Sequence, residues 1–147
     1  MTNLYKMYKT ETDLEVNGVW QVEGDSRIKI ARSGNKNTKY NKTFTKVTKK
    51  YDEATIKTLN NEKSDALMAE IFVKSVITAW ESKDGKGKWV SGIVMPDDKG
   101  ELSLLPFNLT NAKKCLLDLP DLFGKLRDKA GDLKTFQKEV EETQLKN

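Results

Sequence analysis

The sequence predicts an α+β fold that is mostly helical, and three observations carry that expectation. Arg27-Ile28-Lys29-Ile30-Ala31-Arg32 alternates with period two behind a Glu23-Gly24-Asp25-Ser26 turn cluster, the pattern of a β-hairpin. Apolar residues recur at helical spacing from Tyr40 to Trp80 and again from Leu109 onward. No internal repeat, low-complexity tract or Pro/Gly-rich linker interrupts the 147 residues, so they read as one domain. Its expected sections are a hairpin region over 1–34, a helical region over 35–81, loops and short strands over 82–107, and helices over 108–147.

The hairpin takes Val16, Val19, Trp20 and Val22 into the turn. On its second strand Ile28, Ile30 and Arg32 share one face and Arg27, Lys29 and Ala31 the other, so one face should be buried and one wet. Ser33-Gly34-Asn35 ends the strand, with Asn35 a candidate N-cap. Tyr40, Phe44, Val47 and Tyr51 then form one helical stripe, with Lys36, Lys39, Lys42, Lys46, Lys49 and Lys50 along its flank. The Thr and Asn content lowers helix propensity there, so tertiary contacts must sustain this helix. A further turn is expected around Ala54, Ile56 and Leu59.

Residues 64–80 read as a central helix, because Leu67, Met68, Ile71, Phe72, Val73, Val76, Ile77 and Trp80 cover most of its circumference. The β-branched end, Val76-Ile77-Thr78, is equally compatible with a strand. Asp84-Gly85-Lys86-Gly87-Lys88 and Pro96-Asp97-Asp98-Lys99-Gly100 are turns before short extended pieces. Neither matches a phosphate-binding loop, and Asp97, Asp98 and Glu101 do not match a calcium loop. Asn108 or Thr110 can cap a helix carrying Leu109, Ala112, Leu116 and Leu119, and Pro120 suits the first turn of the next, with Leu122, Phe123, Leu126 and Ala130. Gly131 is a natural C-terminal cap and Asp132 a natural N-cap for a last helix. That helix places Leu133, Phe136 and Val140 on a stripe of about 60°.

Composition narrows the chemistry. There is no His, which removes the usual general base and the commonest zinc ligand. The lone Cys115 cannot pair within the chain, fits a reducing cytoplasm, and reads as a small core residue. No constellation of carboxylates, Lys or Tyr suggests catalysis, and no cofactor or metal is implied. Trp20, Trp80 and Trp89 each lie in an apolar run and read as core anchors before ligand platforms. The opening Met1-Thr2-Asn3-Leu4-Tyr5-Lys6 lacks the apolar core of a signal peptide, and Leu67–Trp80 falls short of the ~20 residues of a membrane span. The sequons at Asn41 and Asn108 therefore carry no glycosylation reading.

The formal net charge is +4, from 26 basic and 22 acidic residues. Residues 27–51 hold nine basic and no acidic residues, so this one segment supplies all of the excess. Its readings, in order of weight, are a solvated face, contact with an acidic protein partner, and contact with nucleic acid. Single-strand binding needs exposed aromatics for stacking, and Tyr40, Phe44 and Tyr51 sit on the apolar stripe instead.

One ordered set of short motifs runs through nearly the whole chain. Leu4-Tyr5-Lys6 and Gly18-Val19-Trp20 are followed by Arg27–Asn35 and a basic helix ending at Tyr51. A central helix ends at Trp80-Glu81. Leu105-Pro106-Phe107-Asn108, Asn111-Ala112, Leu119-Pro120-Asp121-Leu122-Phe123, Ala130 and Phe136 come next. In this order the chain resembles tail assembly chaperones of long-tailed, siphovirus-like bacteriophages. The resemblance implies a non-catalytic protein of the host cytoplasm, absent from the mature virion. Its implied partners are the tape measure protein and the tail tube protein. Some such chaperones occur in two lengths through a translational frameshift. The alternatives are a structural tail or neck protein and a small nucleic-acid-binding protein.

Such a role needs exposed apolar grooves beside charge. Periodicity and charge nominate Leu122, Phe123, Leu126, Leu133, Phe136 and Val140 as apolar contacts, for a partner or for self-association. The same reasoning nominates Arg27, Lys29, Arg32, Lys36, Lys39 and Lys42 as charged contacts. The competing reading of the apolar set is the intramolecular core.

Overall fold

The computed structural model describes residues 3–49 and 53–137. The fold is α+β. Two short helices, α1 (Leu4–Tyr8) and α2 (Thr12–Asn17), precede the hairpin of β1 (Val19–Glu23) and β2 (Ser26–Ile30). Next come α3 (Thr38–Thr48), α4 (Glu53–Thr58) and α5 (Asn61–Ser75). Strands β3 (Ile77–Lys83), β4 (Trp89–Ser91), β5 (Ile93–Pro96) and β6 (Leu102–Leu105) follow. Helices α6 (Leu109–Asp118) and α7 (Pro120–Gly131) and a 3-10 turn (Leu133–Phe136) come last.

The strands form two antiparallel sheets, one of four strands in the order β1-β2-β3-β4 and one of two, β5-β6. The hairpin expected from alternation is present and turns at Gly24-Asp25, with Glu23 opposite Ser26. Ile28 and Ile30 face inward as expected. They meet Phe72, Val73 and Val76 of the α5 region, Trp80 of β3, Cys115 and Leu116 of α6, and Phe123 and Leu126 of α7 in one core. Phe72 and Phe123 meet edge to face at 5.5 Å between ring centroids, a favoured aromatic geometry. Ala31, expected on the wet face, is also fully buried; it lies just past the end of β2, beyond the register shift between Lys29 and Ile30, where its N–H donates to the Val76 carbonyl at 2.7 Å.

Five local expectations need correction. Val16, expected to lead into the hairpin as strand, lies in α2, where the helical turn carries its neighbour Glu15 inward to Arg32. The central helix stops at Ser75, and Ile77–Lys83 is a strand, not the end of a helical region. The β-branched run favours extended backbone, and β2 offers a partner, with Arg27 opposite Glu81 and Ile28 opposite Trp80. Asn35 is no helix cap. It sits at φ 48°, a left-handed conformation that Asn tolerates, and α3 begins at Thr38. Asn37 holds the cap position but turns its amide inward, donating to the Arg32 carbonyl at 2.8 Å and the Ser75 carbonyl at 3.0 Å.

Gly131 lies inside α7 and is not its cap. The expected last helix is, over the described residues, a single 3-10 turn. Asp132 caps that turn, accepting from the Lys134 N–H at 3.0 Å. Phe136 is 0% exposed. Its carbonyl accepts from the Glu11 N–H at 2.9 Å, so the end of the described chain folds onto its beginning. Other expectations hold: Asn108 caps α6, accepting from the Asn111 N–H at 2.8 Å, and Pro120 opens α7.

The two sheets meet at Gly92, between β4 and β5. Its φ is 121°, and a Cβ there would lie 2.9 Å from the Leu104 side chain, so only glycine fits. The Gly92 N–H donates to the Trp80 carbonyl at 3.2 Å, and the Trp80 indole donates to the Leu105 carbonyl at 3.2 Å. Trp80 thus ties the two-stranded ribbon to the larger sheet.

Candidate functional site

The six nominated basic residues separate into three environments. Arg27 and Lys29 lie on the outer face of the four-stranded sheet. Cross-strand partners share a face, so the register places Trp20, Val22, Arg27, Lys29, Glu81, Lys83 and Trp89 together there. The Arg27 guanidinium stacks 4.1 Å from the Trp20 ring centroid and 4.3 Å from that of Trp89. Its Nε donates to Glu81 at 2.7 Å. Lys29 lies 5.7 Å from the Trp20 ring and Lys83 5.2 Å from the Trp89 ring. Such cation–π contacts anchor long side chains that otherwise sample many rotamers. Of the three tryptophans only Trp80 is a core anchor; Trp20 and Trp89 are half-buried on this outer face.

Arg32 belongs to a second environment, inside the fold. It bonds the fully buried Glu15 carboxylate at 3.1 Å, and Thr10 donates to the same carboxylate at 2.5 Å. Lys36 approaches Glu15 at 3.9 Å while staying half in solvent. Burial pushes the Glu15 carboxyl up, but the hydrogen bonds from Thr10 and Arg32 and the Arg32 charge outweigh it. The group is held below the ordinary carboxylate value. Arg32 is therefore an internal counter-ion that ties α2 to the end of β2. Lys39 and Lys42 form the third environment, exposed on α3. Lys42, Lys46 and Lys49 line one shallow basic groove with Asn41 and Thr45.

The nominated apolar set falls mostly in the core. Phe123, Leu126 and Phe136 are buried, and Leu122 and Leu133 are half-buried. Val140 lies outside the described residues. Helix α7 closes its stripe into the core, with Phe123, Leu126 and Ala130 buried and Leu122 packed against them, so it does not present the open apolar groove that periodicity suggested. Periodicity locates an apolar stripe without saying what covers it.

An exposed apolar face with aligned side chains lies elsewhere, on the β5–β6 ribbon. Val94 pairs with Leu104 and Pro96 with Leu102, which puts these four side chains on one face. Leu102 is 73% exposed, Val94 55% and Leu104 50%. The opposite face carries the buried Ile93 and Met95. A signal for this existed: Ile93-Val94-Met95 and Leu104-Leu105 are apolar at adjacent positions, so a strand there must be apolar on both faces. Leu4, Tyr5, Met7 and Tyr8 of α1 are also exposed.

Other groups have structural roles. Asp97 accepts from the Ser103 hydroxyl and from the Lys99 and Glu101 N–H groups, which lower its carboxyl below the usual value. The Cys115 thiol is pushed up by burial and then by the Asp118 charge, as expected of an inert core residue. Among the described residues no group of three His, Cys, Asp or Glu could hold a metal ion, and no helix is long and apolar enough to cross a membrane.

Residues 34–147 match the YdaY prophage protein family, and the chain belongs to it. The match runs from before α3 to the last residue and leaves α1, α2 and the first hairpin outside it. No curated protein and no solved structure matches the chain.

Proposed function

From a prophage origin as the premise, we propose that this protein is a non-catalytic tail assembly chaperone. It binds the tape measure protein in the host cytoplasm, helps recruit tail tube subunits, and does not remain in the virion. The observation that carries this reading is the solvent-facing apolar surface of the β5–β6 ribbon, formed by Val94, Pro96, Leu102 and Leu104. Contiguous apolar surface on a folded chain marks an interaction site, and an amphipathic helix offers the complementary stripe. A long helical protein such as a tape measure presents many such stripes before the tube encloses it.

Co-expression with the tape measure gene tests this directly. A soluble complex containing both chains is expected, and mass spectrometry of purified virions should lack the protein. Stoichiometric amounts in virions would make it a structural component instead. Retention on nucleic acid at low salt, lost steeply as salt rises, would favour the nucleic-acid role.

A further inference from the structure

We propose that the outer face of the four-stranded sheet is a second binding surface, and that its partner is an acidic polypeptide segment. Among the described residues, Arg27, Lys29 and Lys83 lie there against a single carboxylate, Glu81. Arg27 is matched by that carboxylate and held between the Trp20 and Trp89 rings. The excess of two positive charges therefore falls on Lys29 and Lys83, and neither makes an ion pair among the described residues.

Each of these two lysines rests on an indole, which holds the ammonium near the sheet and limits the entropy lost when it meets a carboxylate. Lys29 is opposite Ala79, so Lys83 stands four residues further along β3, about 13 Å away at the rise of a strand. An extended chain with acidic residues four apart matches that span. The aromatic chemistry favours protein over single-stranded nucleic acid. Base stacking needs open ring faces, and here cations of the protein's own chain stack on both indoles. Carboxylates need only the ammonium heads.

This surface is distinct from the β5–β6 ribbon, and its test does not involve the tape measure protein. The full chain is titrated with a fluorescent oligoglutamate peptide and, separately, with oligothymidylate of equal length, following anisotropy and the emission of Trp20 and Trp89. The peptide should bind, more weakly as salt rises. K29E/K83E should weaken it by roughly tenfold or more while the circular dichroism spectrum is unchanged. K46E/K49E, which reverses charge in the α3 groove, should leave it within roughly twofold. Should K29E/K83E melt early, K29Q/K83Q replaces it with the same expected direction. No peptide binding, equal loss from the α3 variant, or tighter binding of oligothymidylate would each overturn the proposal.

Discussion

The two sheets of this protein are made alike and finished differently. Each contains a hairpin closed by the same five-residue device, Asp84-Gly85-Lys86-Gly87-Lys88 in the larger sheet and Asp97-Asp98-Lys99-Gly100-Glu101 in the ribbon. In both, the Asp carboxylate accepts from the N–H groups two and four residues on. In both, the Asp N–H donates to the carbonyl four residues on at 2.8 Å. The fourth residue of each, Gly87 in one and Gly100 in the other, lies at a φ of 77° and 79° respectively. Yet one outer face carries cations stacked on tryptophans, and the other is aliphatic. Turn chemistry decides that a hairpin forms; the residues at alternate positions decide what its solvent face can meet. A charged, aromatic face suits a polar partner with fixed charge positions. An aliphatic face suits a partner whose own apolar surface is costly to expose.

The junction of the two sheets should be the most sensitive point. Trp80→Ala removes a 2%-exposed indole and its hydrogen bond to the ribbon. Chemical denaturation should show a loss of roughly 3–5 kcal/mol, with hydrogen exchange in β5 and β6 rising before exchange in β1 and β2. Equal acceleration in all strands would mean that the two sheets unfold as one unit.

A smaller effect is expected at the far side of the larger sheet, where Glu15 holds α2 to Arg32. Because its carboxyl lies below the ordinary value when folded, the stability it contributes is present above the unfolded value, about 4.3. That contribution is lost as pH falls through the folded value. Glu15→Gln should cost roughly 1–3 kcal/mol at neutral pH and flatten the decline of melting temperature in acid. A variant whose acid profile matches that of the parent would remove Glu15 from this role.

The smallest effect on stability, and the largest on binding, is expected on the ribbon's outer face. Leu104→Ser should change stability by only ~0.5 kcal/mol, since that side chain is half exposed, and should abolish co-purification with the tape measure protein. Val22 on the larger sheet, 58% exposed against 50% for Leu104, serves as the contrast: Val22→Ser should leave that complex intact. If both variants lose the complex, the difference between the two faces is not what selects the partner.

Features legible in the sequence were those whose cause lies within a few residues. The Asp–Lys–Gly turns, the Asn108 cap, the Pro120 start and the period-two run of β2 each form through bonds or steric limits that span about five positions. The same locality explains the misplaced cap at Asn35. An Asn before a helical run is a sound signal, but Asn37 is drawn to the carbonyl of Ser75, 38 residues away. Of the nominated contacts, Lys39 and Lys42 lie in solvent, whereas Arg32 and Phe136 lie inside. Charge and apolarity name a residue's chemistry without naming its neighbours.

Composition, turn positions, helix starts and the alternating hairpin strand follow from the order of residues, because short-range hydrogen bonds and steric limits are enough to specify them. The strand after Ser75, the burial of Phe136 and the split between a cationic and an aliphatic sheet face required the assembled fold. Arg27 meets Glu81 across 54 residues, and Phe136 closes against Glu11. A β-branched run such as Val76-Ile77-Thr78 can extend or coil until a neighbouring strand supplies its hydrogen bonds, and that neighbour is brought near only by the collapse of the core.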